Sequence, residues 1–402
     1  PFKQHKTSRN TKTLPHHDNL KSFGACFGVS GGYERPMWFA LDGEKAQYEY
    51  SYNYQSWYPS AEYETNNTIK NVGLFDLTPF SKFEIKSDKA HQELQKICTA
   101  NIKNEPGKCI YTHMLNSDGG IEADLTVVCV DKNHFRIISS AATRERDKFH
   151  INKHLPKNIE LKDITDDLCV FGLFGPKSRD LLKTLSEDNF ENDQFRFGFA
   201  KFITIDGVKI WTQRLSYVGE LGYELYVDLK DTKKIYELLI EKGKDFNLSN
   251  CGMHAMDIMR MESGFLHWGH DISPEENQYQ AGLSFTISNK KNVDFIGKSA
   301  LEKIDLKNIK TRFAMFTLKD SKPGEPLLLH DEPIYLEDKI IGRSTSGNYS
   351  FNFKKNLTFG YINNDFSYEK LKDSKLFIEV EKKKYEIELI NKPLKQTNFK
   401  SN

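Results

Sequence analysis

No apolar run in the 402-residue sequence reaches the roughly 18 residues needed to cross a bilayer, and the first residues lack the apolar core of a secretory signal. There is no charge excess either. The 57 Lys and Arg stand against 56 Asp and Glu, so no global field draws nucleic acid or another polyanion. The six cysteines are scattered with no Cys-x-x-Cys pair, which argues against a zinc cage and a disulfide framework. No Gly-x-Gly-x-x-Gly fingerprint follows a strand, so nothing in the chain offers a dinucleotide-binding half. The expectation is a chain of the cytoplasm or another reducing compartment such as the mitochondrial matrix, with neither membrane nor nucleic acid as partner.

What is present is ordinary globular material: hydrophobic residues make up 38% and charged residues 28%, enough to bury a core. Length suggests two or three folding units. The chain begins at Pro1, and its first twenty residues are basic, polar and aperiodic, as in the middle of a longer polypeptide. From residue 72 short apolar runs alternate with amphipathic stretches. Lys82–Ile85, Leu125–Val130 and Phe135–Ile138 read as strands, and 91–98 and 141–154 as helices. The buried strand from Leu168 runs through Gly175-Pro176 into a helix beginning near Lys177. Strands near 200–214 and 223–228 follow, then a helix over 232–242, an order suggesting split βαβ layers. Beyond Arg312 helical periodicity fades into short alternating segments, an all-β carboxyl-terminal barrel or roll that starts near Lys307 to Lys310. The fold class expected is therefore α+β, two α/β layers plus a β domain.

Three segments carry candidate chemistry. Gly119-Gly120 makes a flexible turn that would let backbone approach a ligand, and Asp124 stands at the mouth of the strand that follows. On its own pattern Asp124 reads first as a turn-capping acid, and second as a carboxylate that accepts hydrogen bonds from a heterocycle or polarises a nucleophilic nitrogen. In Tyr217-Val218-Gly219-Glu220-Leu221-Gly222-Tyr223-Glu224 a glycine turn is interleaved with aromatics and acids. Tyr217 suits stacking on, or hydrogen bonding to, a flat ring, and Glu224 suits paired donors on an aminopyrimidine edge, with a plain surface turn of equal weight. In His254 to Gly264 the methionines mark a buried helical face, and Asp257 and Arg260, three apart, form a structural ion pair. His267, Trp268, His270 and Asp271 lack metal-ligand spacing, so no metal is assigned.

Taken together and in order, these segments resemble the aminomethyltransferase family, which includes the glycine cleavage system T-protein and the carboxyl-terminal halves of dimethylglycine and sarcosine dehydrogenases. The resemblance covers most of the chain: Gly73-Leu74-Phe75-Asp76, Gly119 to Asp124, Ala141-Ala142-Thr143-Arg144, Gly172-Leu173-Phe174-Gly175-Pro176, Tyr217 to Glu224, Asp257 to Gly264 and Phe295-Ile296-Gly297-Lys298. Gly32-Tyr33-Glu34-Arg35-Pro36-Met37-Trp38-Phe39-Ala40 and His267-Trp268-Gly269-His270-Asp271 look like the dehydrogenase branch.

The resemblance implies a three-domain, T-protein-like arrangement. Residues 1–60 form an irregular linker, 61–165 with 255–305 a discontinuous folate-binding domain, 166–254 a second α+β domain and 308–395 the β domain. It implies tetrahydrofolate as cofactor, with Asp124 near its reactive nitrogens as the catalytic and binding acid, Tyr217 lining the pocket and Glu224 gripping the pterin. The reaction implied captures the iminium-level carbon from oxidative demethylation of an N-methyl amine as 5,10-methylenetetrahydrofolate. FAD would enter only through a flavin-dependent oxidase or dehydrogenase portion, fused or separate. A folate-dependent sulfonium demethylase, a T-protein-like transferase and a non-catalytic folate-binding module are the alternatives. One departure stands out. Where the T-protein has an arginine that helps hold the folate tail, this chain has Met256, so the tail must be held differently, and Arg260 is not its replacement.

Overall fold

The structure, a computed structural model, describes residues 3–396. Leu168–Phe174 is buried at every position, as a strand covered on both faces must be. It lies inside a six-stranded sheet of order Ala200–Ile205, Val208–Gln213, Gly222–Asp228, Leu168–Phe174, Val72–Asp76, Leu248–Cys251, antiparallel except for the last pair. A second sheet of five antiparallel strands runs Cys109–Leu115, Ile121–Asp131, His134–Ser139, Ser81–Lys86, Leu161–Asp163.

Helices cover one face of each sheet. Ser178–Leu185 and Thr232–Gly243 bury Leu181, Ile235 and Leu239 against Phe171, Leu173 and Leu225 of the larger sheet. Ala90–Ile97 and Arg144–His154 bury Leu94, Ile97 and Ile151 against Phe83, Leu125 and Ile137 of the smaller one. The other two faces turn toward each other: a third cluster mixes Val170, Trp211 and Tyr226 from the larger sheet with Cys109 and Val128 from the smaller. Carboxyl-terminal to these layers, six strands close a barrel in the order Thr311–Leu318, Lys355–Asn363, Lys339–Ser350, Pro333–Leu336, Leu376–Val380, Lys383–Ile390. The α+β class with a carboxyl-terminal β barrel is thus the architecture observed.

Local structure departs from expectation in three places. The opening stretch read as irregular holds a hairpin, Ala25–Ser30 with Tyr33–Phe39, turned at Gly31-Gly32, where both residues have positive φ. Its Trp38 is buried beside Trp57 and Tyr58, at the start of the helix Tyr58–Lys70. From that helix Glu64 accepts the Phe39 N–H and the Gly252 N–H at 2.7 Å each, tying the hairpin to the start of the helix Met253–Glu262. Second, the stretch near 200–214 is two strands, turned at Asp206-Gly207 with φ of 46° and 78°. Third, Val72–Asp76 precedes the five-stranded sheet in sequence yet pairs with the six-stranded one, so a strand crosses the division drawn at residue 165.

One buried guanidinium joins the layers to the barrel. Arg260, with 3% of its side chain exposed, donates from Nε to Asp257 at 2.8 Å, from Nη1 to Asp271 at 2.7 Å and to the Phe265 carbonyl at 3.1 Å, and from Nη2 to Ser346 on a barrel strand at 2.8 Å. Asp271 also accepts from Thr345 of the same strand at 2.6 Å and from the His267 N–H at 2.9 Å. The expected Asp257–Arg260 pair is present, inside a larger partner set that spacing along the chain does not report. Removing the guanidinium strands Asp271 as an uncompensated buried charge. Arg260→Ala should therefore lower the unfolding free energy by about 3–5 kcal/mol in denaturant titration; a loss within about 0.5 kcal/mol, the range of an unremarkable surface change, would show that Arg260 does not brace the fold.

Candidate active site between the two sheets

Alternation along the strands decides which side chains enter the space between the sheets. On the smaller sheet Asp124 is paired across the ladder with His113, and Thr126 with Tyr111, so these four share a face. On the larger sheet Glu224 is paired with Gln213, and Tyr226 with Trp211, which likewise share a face. Trp211 and Tyr226 belong to the same buried cluster as Cys109 and Val128, which lie on the Asp124 face. The two acids therefore come from opposed sheet faces.

Asp124 has 17% of its side chain exposed, and its Oδ1 is buried without a hydrogen-bond partner. Burial pushes the carboxyl up to about 7, the Tyr111 hydrogen bond pulls the other way, and the Asp147 carboxylate pushes up further. His113 is fully buried, with Nε2 3.7 Å from Asp124 Oδ1, and burial drives it down to about 3, so at neutral pH it is an uncharged neighbour and not an ion-pair partner. Glu224 accepts from the Tyr226 hydroxyl at 2.9 Å, and burial lifts it too to about 7. Neither acid pairs with a Lys or Arg among the described residues. Carboxyls in that condition can take up or release a proton at physiological pH and keep lone pairs that a ligand's donors could use.

Tyr217 stacks near Phe265, with centroids 5.9 Å apart at 19°, and its hydroxyl donates to the Leu266 carbonyl at 2.9 Å. Its one proton is committed, so the ring face and the oxygen lone pair are what it offers a ligand. The Gly119-Gly120 turn meets protein rather than open space. Gly119 has φ +84°, and a Cβ on Gly120 would sit 1.8 Å from the Pro274 carbonyl oxygen. The close approach foreseen there is thus made by the segment around Pro274, and the neighbouring Ile121 N–H donates to the Glu276 carbonyl at 2.9 Å. Met256 is buried in the core between the sheets.

Sequence reading missed Tyr111, His113, Gln213 and Tyr226. The even spacing of Glu224 and Tyr226 was available as a clue. His113 was not, because a register shift between Met114 and Leu115 sets which residue opposes Asp124. Among the described residues no three His, Cys, Asp or Glu side chains are placed to hold a metal ion, and no helix is long and apolar enough to cross a membrane.

Residues 16–291 match the family described as GCVT N-terminal domain, and residues 312–395 the glycine cleavage T-protein C-terminal barrel domain. An aminomethyltransferase of Alkaliphilus metalliredigens is 31% identical over 82% of this chain and 88% of its own length. A 4-methylaminobutanoate oxidase (formaldehyde-forming) of Paenarthrobacter nicotinovorans is 36% identical over 87% of this chain, and the mitochondrial dimethylglycine dehydrogenase of Rattus norvegicus 32% identical over 91%. The chain spans only 42% of the length of each of these two. The crystal structure of the glycine cleavage system aminomethyltransferase T from Bartonella henselae superposes with a TM-score of 0.80 at 20% identity, covering 96% of this chain and 98% of that one, which establishes a shared fold.

The contact at Gly120 predicts that Gly120→Ala displaces the Pro274 segment. Stability should fall by about 1–3 kcal/mol in thermal or denaturant unfolding, the usual cost of overpacking, and an unchanged midpoint would show that the turn yields freely.

Proposed function

The chain belongs to the glycine cleavage T-protein family, and on that footing we propose that it transfers a one-carbon unit to tetrahydrofolate, taking up the iminium-level carbon released when an N-methyl amine of the dimethylglycine or sarcosine type is oxidised. The observation that carries this reading is the pair of uncompensated acids, Asp124 and Glu224, offered by opposed sheet faces. A reduced folate suits them: Asp124 Oδ1 lacks a donor that a ligand N–H would provide, and Glu224 is an acceptor for the paired N–H groups of an aminopyrimidine edge. We assign folate holding to residues 61–165 and 255–305, with Tyr217 and Glu224 contributed by 166–254. The amine-oxidising step, with its FAD, belongs to a flavin-dependent portion, fused or separate.

When bound, the folate supplies the nucleophilic nitrogen, and the product is 5,10-methylenetetrahydrofolate. The protein's work is orientation and proton handling. Glu224 and the Tyr217 ring would hold the flat heterocycle with Asp124 as its neighbouring acid, and alignment of two reactants supplies up to about 7–11 kcal/mol of a barrier. Asp124 would accept the proton leaving the first attacking nitrogen and return it to the departing amine, two tasks open to a carboxyl titrating near neutrality, and the proton lost as the second nitrogen closes the ring would pass to solvent.

Two measurements test this. With an N-methyl amine oxidised in situ and tetrahydrofolate as acceptor, Asp124→Ala should fold normally and lose about 10²- to 10⁴-fold in transfer. Because the ionised form accepts the proton, wild-type transfer should climb as pH rises through about 7. Unchanged turnover in the variant removes Asp124 from the mechanism, and a 5-methyl folate product by mass spectrometry replaces this reading with that of a methyl-transferring demethylase. In calorimetry Glu224→Gln should weaken tetrahydrofolate binding about 10- to 100-fold, the worth of hydrogen bonds to a charged group. Wild-type affinity in that variant would overturn the pterin assignment.

A further inference from the structure

Around Asp124 the number of protons does not match the number of acceptors, and His113 is the reason. His113 Nδ1 lies 3.0 Å from Thr286 Oγ1, and the Thr286 hydroxyl donates to the Leu283 carbonyl at 2.7 Å. With the hydroxyl's single proton spent on that carbonyl, its oxygen is left to accept, so the ring proton sits on Nδ1 and Nε2 is a bare lone pair. That lone pair looks at the Tyr111 hydroxyl, 3.3 Å away, and at Asp124 Oδ1, 3.7 Å away. If Asp124 is ionised, the group of Tyr111, His113 and Asp124 holds one mobile proton, on Tyr111, for two facing acceptors. The Tyr111 proton can serve the Asp124 carboxylate or the His113 Nε2 lone pair but not both, so one acceptor goes without, and Asp124 Oδ1 is itself buried with no partner. A proton placed on Asp124 resolves the shortfall.

We infer that His113 is a positioning residue that keeps a proton available on Asp124, its Nε2 lone pair being held toward the carboxyl by the Thr286 latch. This rests on the folate-transfer reading for its use but not for its geometry. The latch comes from a different part of the chain: Thr286 ends the short turn Ser284–Thr286, which is stitched to the strand bearing His113 through Thr99, whose hydroxyl donates to the Thr286 carbonyl at 3.1 Å. The same turn carries Phe285, 74% exposed and stacked 6.3 Å from Tyr111. The other titratable groups facing Asp124 are Asp147 from the helix Arg144–His154 and the Tyr217 phenol, and neither provides it with a cation. His113 acts through Asp124 and touches no substrate in this assignment.

The test uses the full, unliganded chain. Nitrogen NMR of the His113 ring should show the Nδ1–H tautomer, and carbon NMR of selectively labelled Asp124 should follow its titration. In His113→Gln the replacement amide can donate, and in Thr286→Val the freed ring can shift its proton to Nε2. Both should move the Asp124 midpoint, and with it the rising limb of the transfer–pH profile, to lower pH by about one unit. An Nε2–H tautomer in the wild type overturns the inference, as does an Asp124 titration that superimposes on wild type in the variants. The wild-type tautomer decides even if neither variant folds. Because both NMR readouts need no folate, absence of tetrahydrofolate binding would defeat the proposed function while leaving this inference standing or falling on its own.

Discussion

The burial of the Arg260 guanidinium is the constraint on which the rest of the molecule hangs. A charge that deep must have all its donors answered, and the answers come from three places: its own helix, the loop that follows, and the barrel. Answering it fixes Asp271, and Asp271 in turn fixes Thr345, the His267 N–H and, through its own carbonyl, the Tyr361 hydroxyl at 2.8 Å. The loop so pinned holds the Leu266 carbonyl that receives the Tyr217 hydroxyl. A buried ion network of this kind adds little net stability over a well-packed apolar alternative. What it does here is set the position of the Phe265 to Asp271 loop, and with it the Leu266 carbonyl that holds Tyr217, relative to the barrel.

The same physics, left unanswered, makes the site. Asp271 is buried against the Arg260 guanidinium, whereas Asp124 and Glu224 are buried with hydroxyls and have no cation among the described residues. Burial therefore appears in one case as a brace and in the other as two carboxyls poised near neutrality. The proposed chemistry needs the second condition: strong counter-cations would hold the acids ionised and unwilling to take a proton.

Much of the fold was legible because the signals are local. The β-branched and aromatic content of Leu125–Val130 and Phe135–Ile138, the Gly175-Pro176 break and the fading of helical period beyond Arg312 each report a property of a few neighbouring residues. The hairpin near the start was passed over although Gly31-Gly32 is a turn signal. Its strands contain Pro36 and a register shift at Cys26/Phe27, which spoil the alternation that would have announced them. Likewise Val72–Asp76 reads clearly as apolar, but nothing within five residues says which sheet it joins.

By itself the sequence determined the order of elements and the residue types at the mouths of two strands, because composition and spacing along the chain are sufficient for those, and its ordered motifs carried the family resemblance. Only the tertiary structure decided what the acids face. Simple counting outward from the pair Leu115–Ile121 would set His113 opposite Ala123, on the core side. The shift between Met114 and Leu115 sets it opposite Asp124 instead. A displacement of one residue exchanges the two faces of a strand, so the neighbour that governs the proton on Asp124 is fixed by pairing across the sheet, and the latch that orients it by a turn more than 170 residues away in sequence.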